Sequence, residues 1–365
     1  MSKQPKTILV FTAGDYTTAS SKYRAFLLGR YLTGVRPDIV WKIVEPSTKD
    51  ISSMPVARQI YQSFRQVREL FWLPRHDVVF MQRSFYNKFI FFALVAQNVL
   101  HIRPSIFDLD DATFIHSPLK TRWLTKTATA VVVGSRCLYE YARRYNKDVV
   151  LIPTCIKFSD YAAIQRGGEH TKEVTLGWIG NGPSYIPELT FVAEVLRTLS
   201  ARNIPYRFLL IGTYGSPAIH KLFDFIPEDR KSVIKYVDAK SDMDLVPYFT
   251  KMDIGLMPLQ DTLWNRGKCA FKAVQYMAAG SAVVASPVGE NAFLITHRTT
   301  GLLATTAEEW TVCLEELIKN PALRNELGLS ARAHVQKNYS FESQCAVVGS
   351  VIDSATGEAR TGVSG

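Results

Sequence analysis

The sequence predicts an α/β protein built as two doubly wound domains in tandem, and three observations predict it. Short apolar or β-branched runs alternate with longer segments of helical periodicity. The strand runs are apolar on both faces, the signature of a parallel sheet covered by helices. The alternation halts at a polar, Gly-rich stretch around 161–171 (AAIQRGGEHT), then restarts with the same rhythm.

In order, the first half offers strands at 7–12 (TILVFT), 39–44 (IVWKIV), 77–82 (DVVFMQ), 105–110 (SIFDLD), 130–135 (AVVVGS) and 149–153 (VVLIP). Between them lie KYRAFLLGRYL, a long basic segment around 55–73, and NKFIFFALVAQNVL. The second half offers strands at 174–180 (VTLGWIG), 207–212 (RFLLIG), 233–237 (VIKYV), 253–258 (DIGLMP) and 282–286 (AVVAS), then two amphipathic helices, AEEWTVCLEELI and PALRNELGLSARAHVQKNY. The domains are expected at 1–163 and 172–339, with a polar tail at 354–365 expected to be disordered.

With 47% hydrophobic and 21% charged residues, the chain is globular, neither disordered nor fibrous. The five cysteines show no CxxC and no metal-ligand spacing, which points to reduced thiols, a cytoplasmic setting and no zinc site. No secretory signal is read at the N-terminus. The longest apolar run, Phe89 to Ile102, contains Gln97 and Asn98 and is too short to span a bilayer. The charge is uneven. Residues 1–170 hold 24 Lys/Arg against 13 Asp/Glu, or +11, whereas residues 171–365 hold 19 against 20. An anionic partner for the first half is one reading, and a solvated basic face is the plainer one.

Ligands of open parallel sheets bind beyond the carboxyl ends of the strands, so the strand-to-helix loops of both halves are the candidate site. In RGKCAFKAVQYMAAGSAVVAS (266–286) a helix, a Gly280 turn and a strand are expected, with Asn265 as N-cap. Lys268, Lys272 and Gln275 then share one helical face, and Arg266 joins them at its start. Cations are disfavoured at a helix N-terminus unless an anion is to be bound there. A diphosphate suits the charge and the length. Surface lysines snorkelling over an exposed face are the alternative. Gly180 and Gly182, around Asn181, follow a strand and allow close backbone approach to a phosphate. Tyr185 stands where a dinucleotide fingerprint wants its third Gly, and no acid closes the next strand, so NAD is disfavoured.

In the first half FDLDDATF brings Asp108, Asp110 and Asp111 to a strand end. Asp110 or Asp111 is assigned to a sugar or acceptor hydroxyl, with helix capping as the alternative. Gly14 lies in the first strand-to-helix loop, and Lys22, Arg24 and Arg83 are candidates for an acceptor phosphate. Around 55–73, Arg58, Arg65, Arg68 and Arg75 alternate with Ile60, Tyr61, Phe64, Leu70, Phe71, Trp72 and Leu73. That pattern fits a helix on an anionic membrane, or one with its apolar face turned to the core.

MPLQDTLWNRGKCAFKAVQYMAAGSAVVASPVGEN followed by TGLL resembles the donor-site region of GT-B glycosyltransferases of the retaining, family-4 type (glycosyltransferase group 1). GDYTTASSKYRAFLLGRYL, DVVFMQR, FDLDDATF, VVVGSRCLYEYARRYNKDVVLIPTCI and NYSFE resemble, in order, further segments of that family. The resemblance implies two Rossmann-like domains facing a cleft, the first holding an acceptor and the second a nucleotide-sugar. It implies a helix at about 340–353 crossing back to the first domain, transfer with retention, and no required metal or other cofactor. Carried over by position, it sets Gly180, Gly182, Lys268 and Lys272 by the donor phosphates, Gln275 by the ribose, and Val237 and Asp238 by the base. Two glutamates separated by seven residues in many members are replaced here by Gly267 and Gln275, and an Arg/Lys pair common after the first strand of the second domain is missing.

The expected function is therefore a retaining hexosyltransferase of polysaccharide or glycolipid assembly, cytoplasmic and peripheral on the membrane. A sugar-nucleotide epimerase of the same fold, an NAD-dependent oxidoreductase and a basic nucleic-acid-binding protein are the rivals. The last is disfavoured because no recognition motif is found.

Overall fold

The computed structural model describes residues 4–45, 56–71, 77–83, 88–164, 173–237 and 242–357, side chains 56–59 and 62 excepted. The chain divides into two compact units. Unit 1 comprises Met1–Cys155, Gly267–Cys269 and Gln344–Gly365, and unit 2 comprises Ile156–Arg266 and Ala270–Ser343.

Unit 1 holds a six-stranded, all-parallel sheet of β1 (Lys6–Phe11), β2 (Ile39–Val44), β3 (Val78–Gln82), β4 (Ser105–Leu109), β5 (Ala130–Val133) and β6 (Val149–Leu151). The order is β2-β1-β3-β4-β5-β6. β3, β4 and β5 are buried at every position, which is why they read as mostly apolar runs, broken only by Gln82, Ser105 and Asp108. β2, at an edge, exposes Val40. Helix α1 runs through Ala19–Ser21, a π-helical turn Lys22–Leu27, and Leu28–Val35. It is followed by α2 (Val56–Phe71), α3 (Lys88–Val99), α4 (Pro118–Thr127) and α5 (Arg136–Arg143).

Unit 2 repeats the design with β7 (Thr175–Ile179), β8 (Arg207–Ile211), β9 (Lys231–Ile234), β10 (Ile254–Met257), β11 (Ala282–Ala285) and β12 (Leu302–Leu303), again parallel, in the order β12-β11-β10-β7-β8-β9. Its helices are α6 (Ile186–Ala201), α7 (Pro217–Leu222), α8 (Val246–Phe249), α9 (Leu263–Arg266), α10 (Phe271–Ala278), α11 (Asn291–Leu294), α12 (Ala307–Lys319), α13 (Pro321–Asn338) and α14 (Phe341–Ala355), the last running on into unit 1. One side of the sheet buries Trp178, Leu196, Phe208 and Trp310; the other buries Phe249, Tyr276, Met277 and Val283. α12 starts at a capping box of Thr306 and Glu309.

In unit 1, α14 packs Cys345, Val348 and Ile352 against Ile8, Val10, Leu32 and Phe80. Asp353 accepts from Lys6 Nζ at 2.5 Å and from Arg36 at 3.3 Å.

Three expectations are corrected. The strand expected at 233–237 is Lys231–Ile234. Its partner β8 ends at Ile211 and turns away through Gly212 (φ +92), so Val237 lies beyond the ladder. β12 is an additional strand. The single helix expected from Asn265 onward is two: α9 ends at Arg266, and the chain passes through 267–269 and a left-handed Ala270 (φ 53) before α10 begins. Asp238, Trp72, Leu73 and Arg75, together with the side chain of Arg58, lie outside the described residues, as does most of the tail.

Candidate active site

A strand order that reverses leaves a crevice where two neighbouring crossovers go to opposite faces of the sheet. In unit 2 that point lies between β7 and β10, and the loops there carry the glycines and Lys272. Gly180 N donates to Ile211 O (3.0 Å) and Gly182 N to Gly212 O (2.8 Å), so the β7 loop is zipped to the end of β8. Gly182 requires glycine, and at Gly180 a side chain would displace that of Lys272. A Cβ on Gly182 would lie 2.6 Å from Ile219 Cδ1 and 2.9 Å from Gly212 O, and one on Gly180 would lie 2.7 Å from Lys272 Cε and 2.8 Å from Nζ. The space left open at Gly180 is the bed of the Lys272 side chain.

α10 is fixed by Tyr276, whose hydroxyl accepts from Ile179 N at 3.0 Å and whose ring fills the room left by Gly255. One turn earlier, Lys272 is thereby set against the β7 loop. Its Nζ is buried, 3.5 Å from the Tyr185 ring centroid and 5.0 Å from that of Trp178. No side chain caps α10, and no acid stands in its first turn. Gln275 follows on the same helix and is buried. Asn181 lies in the loop itself, and Val237 is half-buried against the core.

The other cations of this region are placed differently from the expectation. Arg266 is exposed and donates from Nε and Nη2 to Asp261 at 2.6 and 2.8 Å, so an acid from the preceding loop engages it. Asn265 is no N-cap. It is buried within α9, where Nδ2 donates to Glu188 Oε1 (3.1 Å) and Gln260 O (2.9 Å). Lys268 does not lie on α10 at all but in the 267–269 segment, which belongs to unit 1.

That segment enters unit 1 because two positions make room for it. Gly267 comes so close to Ala112 that a Cβ would lie 2.7 Å from the alanine methyl, and Cys269 occupies the space above Gly134. Ser135 Oγ donates to Gly267 O (3.1 Å) and Cys269 Sγ to Asp110 O (3.1 Å). Burial pushes the Cys269 thiol up, so it stays protonated. The segment sets the Lys268 charge in the field of Asp111.

Beyond β4, Asp110 accepts from Arg83 Nε at 2.5 Å and Asp111 accepts from Arg83 Nη2. Arg83 adopts a left-handed backbone (φ 57), its N–H bound to Asp108 O at 2.8 Å. Such strain persists only where the surroundings hold it. Burial pushes the Asp111 carboxyl up to about 6, against the opposing charges of Arg83 and Lys268 and with Asp110 adding to the rise. Arg24 is fully buried. It donates from Nε to both Asp108 oxygens (3.1 and 2.9 Å) and from Nη1 to Ile152 O and Thr154 Oγ1. Contrary to expectation, Arg24 is committed to holding the sheet end together and presents nothing to an acceptor. Lys22, also buried, stands over the Tyr16 and Tyr23 rings at 5.8 and 5.4 Å. Gly14 donates to Ser21 Oγ (2.9 Å) and turns tightly over Thr18.

Two features escaped the sequence. Gln82, fully buried, donates from Nε2 to Ser20 O (2.9 Å) and accepts from Ala13 N and Ser21 Oγ, locking the β1 loop to the end of β3. Tyr214 (φ 52) and Tyr236 form a half-exposed aromatic pair beyond β8 and β9, their centroids 5.4 Å apart. The GTYG run that follows β8 is the local signal for the second of these.

Residues 173–320 match the model of the family Glycosyl transferases group 1. No curated protein matches the chain in sequence. Among solved structures, a glycosyltransferase from Rickettsia africae is 14% identical with a TM-score of 0.69, covering 97% of this chain and 99% of that one. Sucrose-phosphate synthase from Thermosynechococcus elongatus is 15% identical at 0.68, covering 95% and 98%. HepE from Anabaena, solved with UDP and glucose, is 14% identical at 0.66, covering 96% and 100%. A protein described as a UDP-N-acetylglucosamine 2-epimerase, from Listeria monocytogenes, is more distant, 12% identical at 0.59 over 96% of each chain. At these identities the structural likeness speaks to fold. Residues 173–320 thus match the group 1 glycosyltransferase family, and the fold over nearly the whole chain is that of the GT-B glycosyltransferases.

Proposed function

We propose that the chain moves a sugar from a nucleoside-diphosphate sugar to a hydroxyl of a glycan or lipid-linked acceptor, with retention at the anomeric carbon, in polysaccharide or glycolipid assembly at the inner face of the cytoplasmic membrane. The observation that carries this is Lys272, an ammonium bedded by Gly180 and Tyr185 at the switch point of the group 1 domain. It is assigned to the donor diphosphate, Gln275 to the ribose, and Val237 and Asp238 to the base. The neighbour solved with UDP puts uridine first among the bases to try.

In the proposed reaction the acceptor oxygen bonds to the anomeric carbon as the bond from that carbon to the phosphate oxygen breaks. The hydroxyl proton passes to the departing phosphate oxygen on the same face, so the protein needs no nucleophile. Its part is charge: the fixed Lys272 ammonium stabilises the diphosphate as it leaves, without reorganisation. Asp110 and Asp111, held by Arg83, orient the acceptor hydroxyl, and no metal ion is called upon.

A thermal-shift panel of UDP, GDP, ADP, CDP and NAD tests this. A ligand at about 100 times its dissociation constant adds roughly 2.7 kcal/mol of stability. One nucleoside diphosphate should shift the midpoint, and the shift should vanish in Lys272→Ala. A shift by NAD alone refutes the proposal. The epimerase alternative, favoured only by its shared fold, is separated by the product: an epimerised sugar nucleotide without transfer.

A further inference from the structure

The face of the unit 1 sheet covered by α2, α3 and α4 turns apolar side chains outward. Right-handed crossovers from β2 to β3, β3 to β4 and β4 to β5 lay these helices side by side on one face, with α2 packed on α3 and α3 on α4. α3 is apolar around its circumference. Ile90, Phe91 and Leu94 face inward, whereas Phe89 and Phe92 are 69% and 65% exposed and continue along the helix to an exposed Val99. On α4, Leu119 and Trp123 are 70% and 48% exposed; on α2, Tyr61 and Phe64 are 69% and 62% exposed. For α2 this excludes the reading in which its large apolar side chains all turn to the core: Ser63 and Leu70 are buried instead. Surface hydrophobics scattered singly need no explanation, but neighbouring stripes on three packed helices do.

The charge on the same helices chooses the occupant. Arg65, Arg68, Lys88, Lys120, Arg122 and Lys126 stand on them, and their single acid, Glu69, is ion-paired with Lys42 at 2.9 Å. A two-fold pairing with a second copy would set this cationic face against itself, and lysine is depleted in protein interfaces. A bilayer with anionic headgroups answers both components, taking aromatic and aliphatic tips at the headgroup–acyl boundary and cations at the phosphates.

We propose that α2, α3 and α4 seat the chain on an anionic phospholipid surface, with Phe89, Phe92, Leu119 and Trp123 as the inserted side chains. The docking does not depend on the transferase reading and is tested without turnover.

The full chain is floated with vesicles of phosphatidylcholine and with vesicles that also contain phosphatidylglycerol, at low and high salt. Binding is expected on the anionic vesicles and weakened by salt. Phe89→Ser with Phe92→Ser should reduce it more than about tenfold. Arg122→Gln with Lys126→Gln should reduce it by about fivefold per charge. Because these positions are exposed, both double variants should keep the wild-type melting midpoint and nucleotide-induced shift. Absence of binding to anionic vesicles overturns the proposal, as does wild-type binding by the Phe variant or binding that ignores lipid charge. A mass twice the 41.1 kDa of the chain, reverting to one in Phe89→Ser/Phe92→Ser while vesicles stay bare, would assign the face to a second copy and also overturn it.

Discussion

Lys272→Met separates a lysine held for function from one held for structure. The Lys272 ammonium lies over Tyr185 and near Trp178 with its Nζ buried. The cation–π attraction there is worth about 2 kcal/mol when desolvated. Burying an ammonium carries an opposing cost of at least that order. Methionine keeps the stem, removes the charge and regains about 0.3–1.5 kcal/mol from sulfur–aromatic contact. The stability change should fall within about 1 kcal/mol of zero, a shift of only a few degrees for a chain of this size. Nucleoside diphosphate binding should suffer far more. A hydrogen bond to a charged group contributes about 1.5–3 kcal/mol, so the dissociation constant should rise between about tenfold and a hundredfold.

The assay is calorimetric titration of UDP, or of whichever nucleotide the panel selects, into wild type, Lys272→Met and Gly180→Ala. The glycine variant reaches the same ammonium from the other side. Its Cβ would stand 2.8 Å from Nζ and 2.8 Å from Trp178 Cη2. It should copy the affinity loss of Lys272→Met and add an overpacking penalty of about 1–3 kcal/mol against the buried tryptophan. Wild-type affinity in Lys272→Met would refute the reasoning. So would a stability loss above about 3 kcal/mol, since Lys272 would then be a core residue that happens to be charged.

Three further outcomes are expected. Gly212→Ala should cost about 2–5 kcal/mol in urea unfolding, since its φ of +92 and the Gly180 carbonyl both exclude a Cβ. Arg24→Met should cost about 3–5 kcal/mol by leaving the Asp108 carboxylate buried without its guanidinium, and adding Asp108→Asn should recover part of that loss. For Asp111 the folded pKa lies above the unfolded one, so the native chain holds the proton more tightly. Stability should therefore fall as pH rises from 3.8 to about 6, transfer that uses the ionised carboxylate should rise through that window, and Lys268→Ala, by removing an opposing charge, should move both midpoints to higher pH.

The sheets were legible because burial on both faces writes itself into the sequence. β3, β4 and β5 are near-continuous Val, Ile, Leu, Phe and Met, and the boundaries expected for them hold within two residues or so. β9 was displaced because its register is set by β8, which stops at Gly212, and nothing within VIKYV signals where a neighbour ends. Contacts across the fold were the illegible part. Gln82 reads as one more residue of an apolar strand, yet its amide fastens Ser20, Ser21 and Ala13, some sixty residues away along the chain. Arg24 reads as a cation on an amphipathic helix, and only the fold brings it to Asp108.

The run of cations at 266–272 was read on a helix that the structure divides in two. Read as one helix, Arg266, Lys268 and Lys272 crowd a positive pole, and an incoming anion is needed to relieve them. In the structure they do three different things. Arg266 closes α9 and turns to Asp261. Lys268 leaves with 267–269 for unit 1, where its charge holds down the pKa of Asp111. Lys272 stays at the N-terminal turn of α10, where the peptide dipoles and its own ammonium add rather than cancel. A protein selected for stability alone would place an acid there, which contributes about 0.3–1 kcal/mol. Instead the chain opens Gly180 to admit the lysine, stacks Tyr185 beneath it and anchors the helix through Tyr276. Three residues arranged to hold one cation where it is electrostatically least welcome imply a ligand that reverses the sign of the energy. A diphosphate is the anion that the proposed transfer supplies.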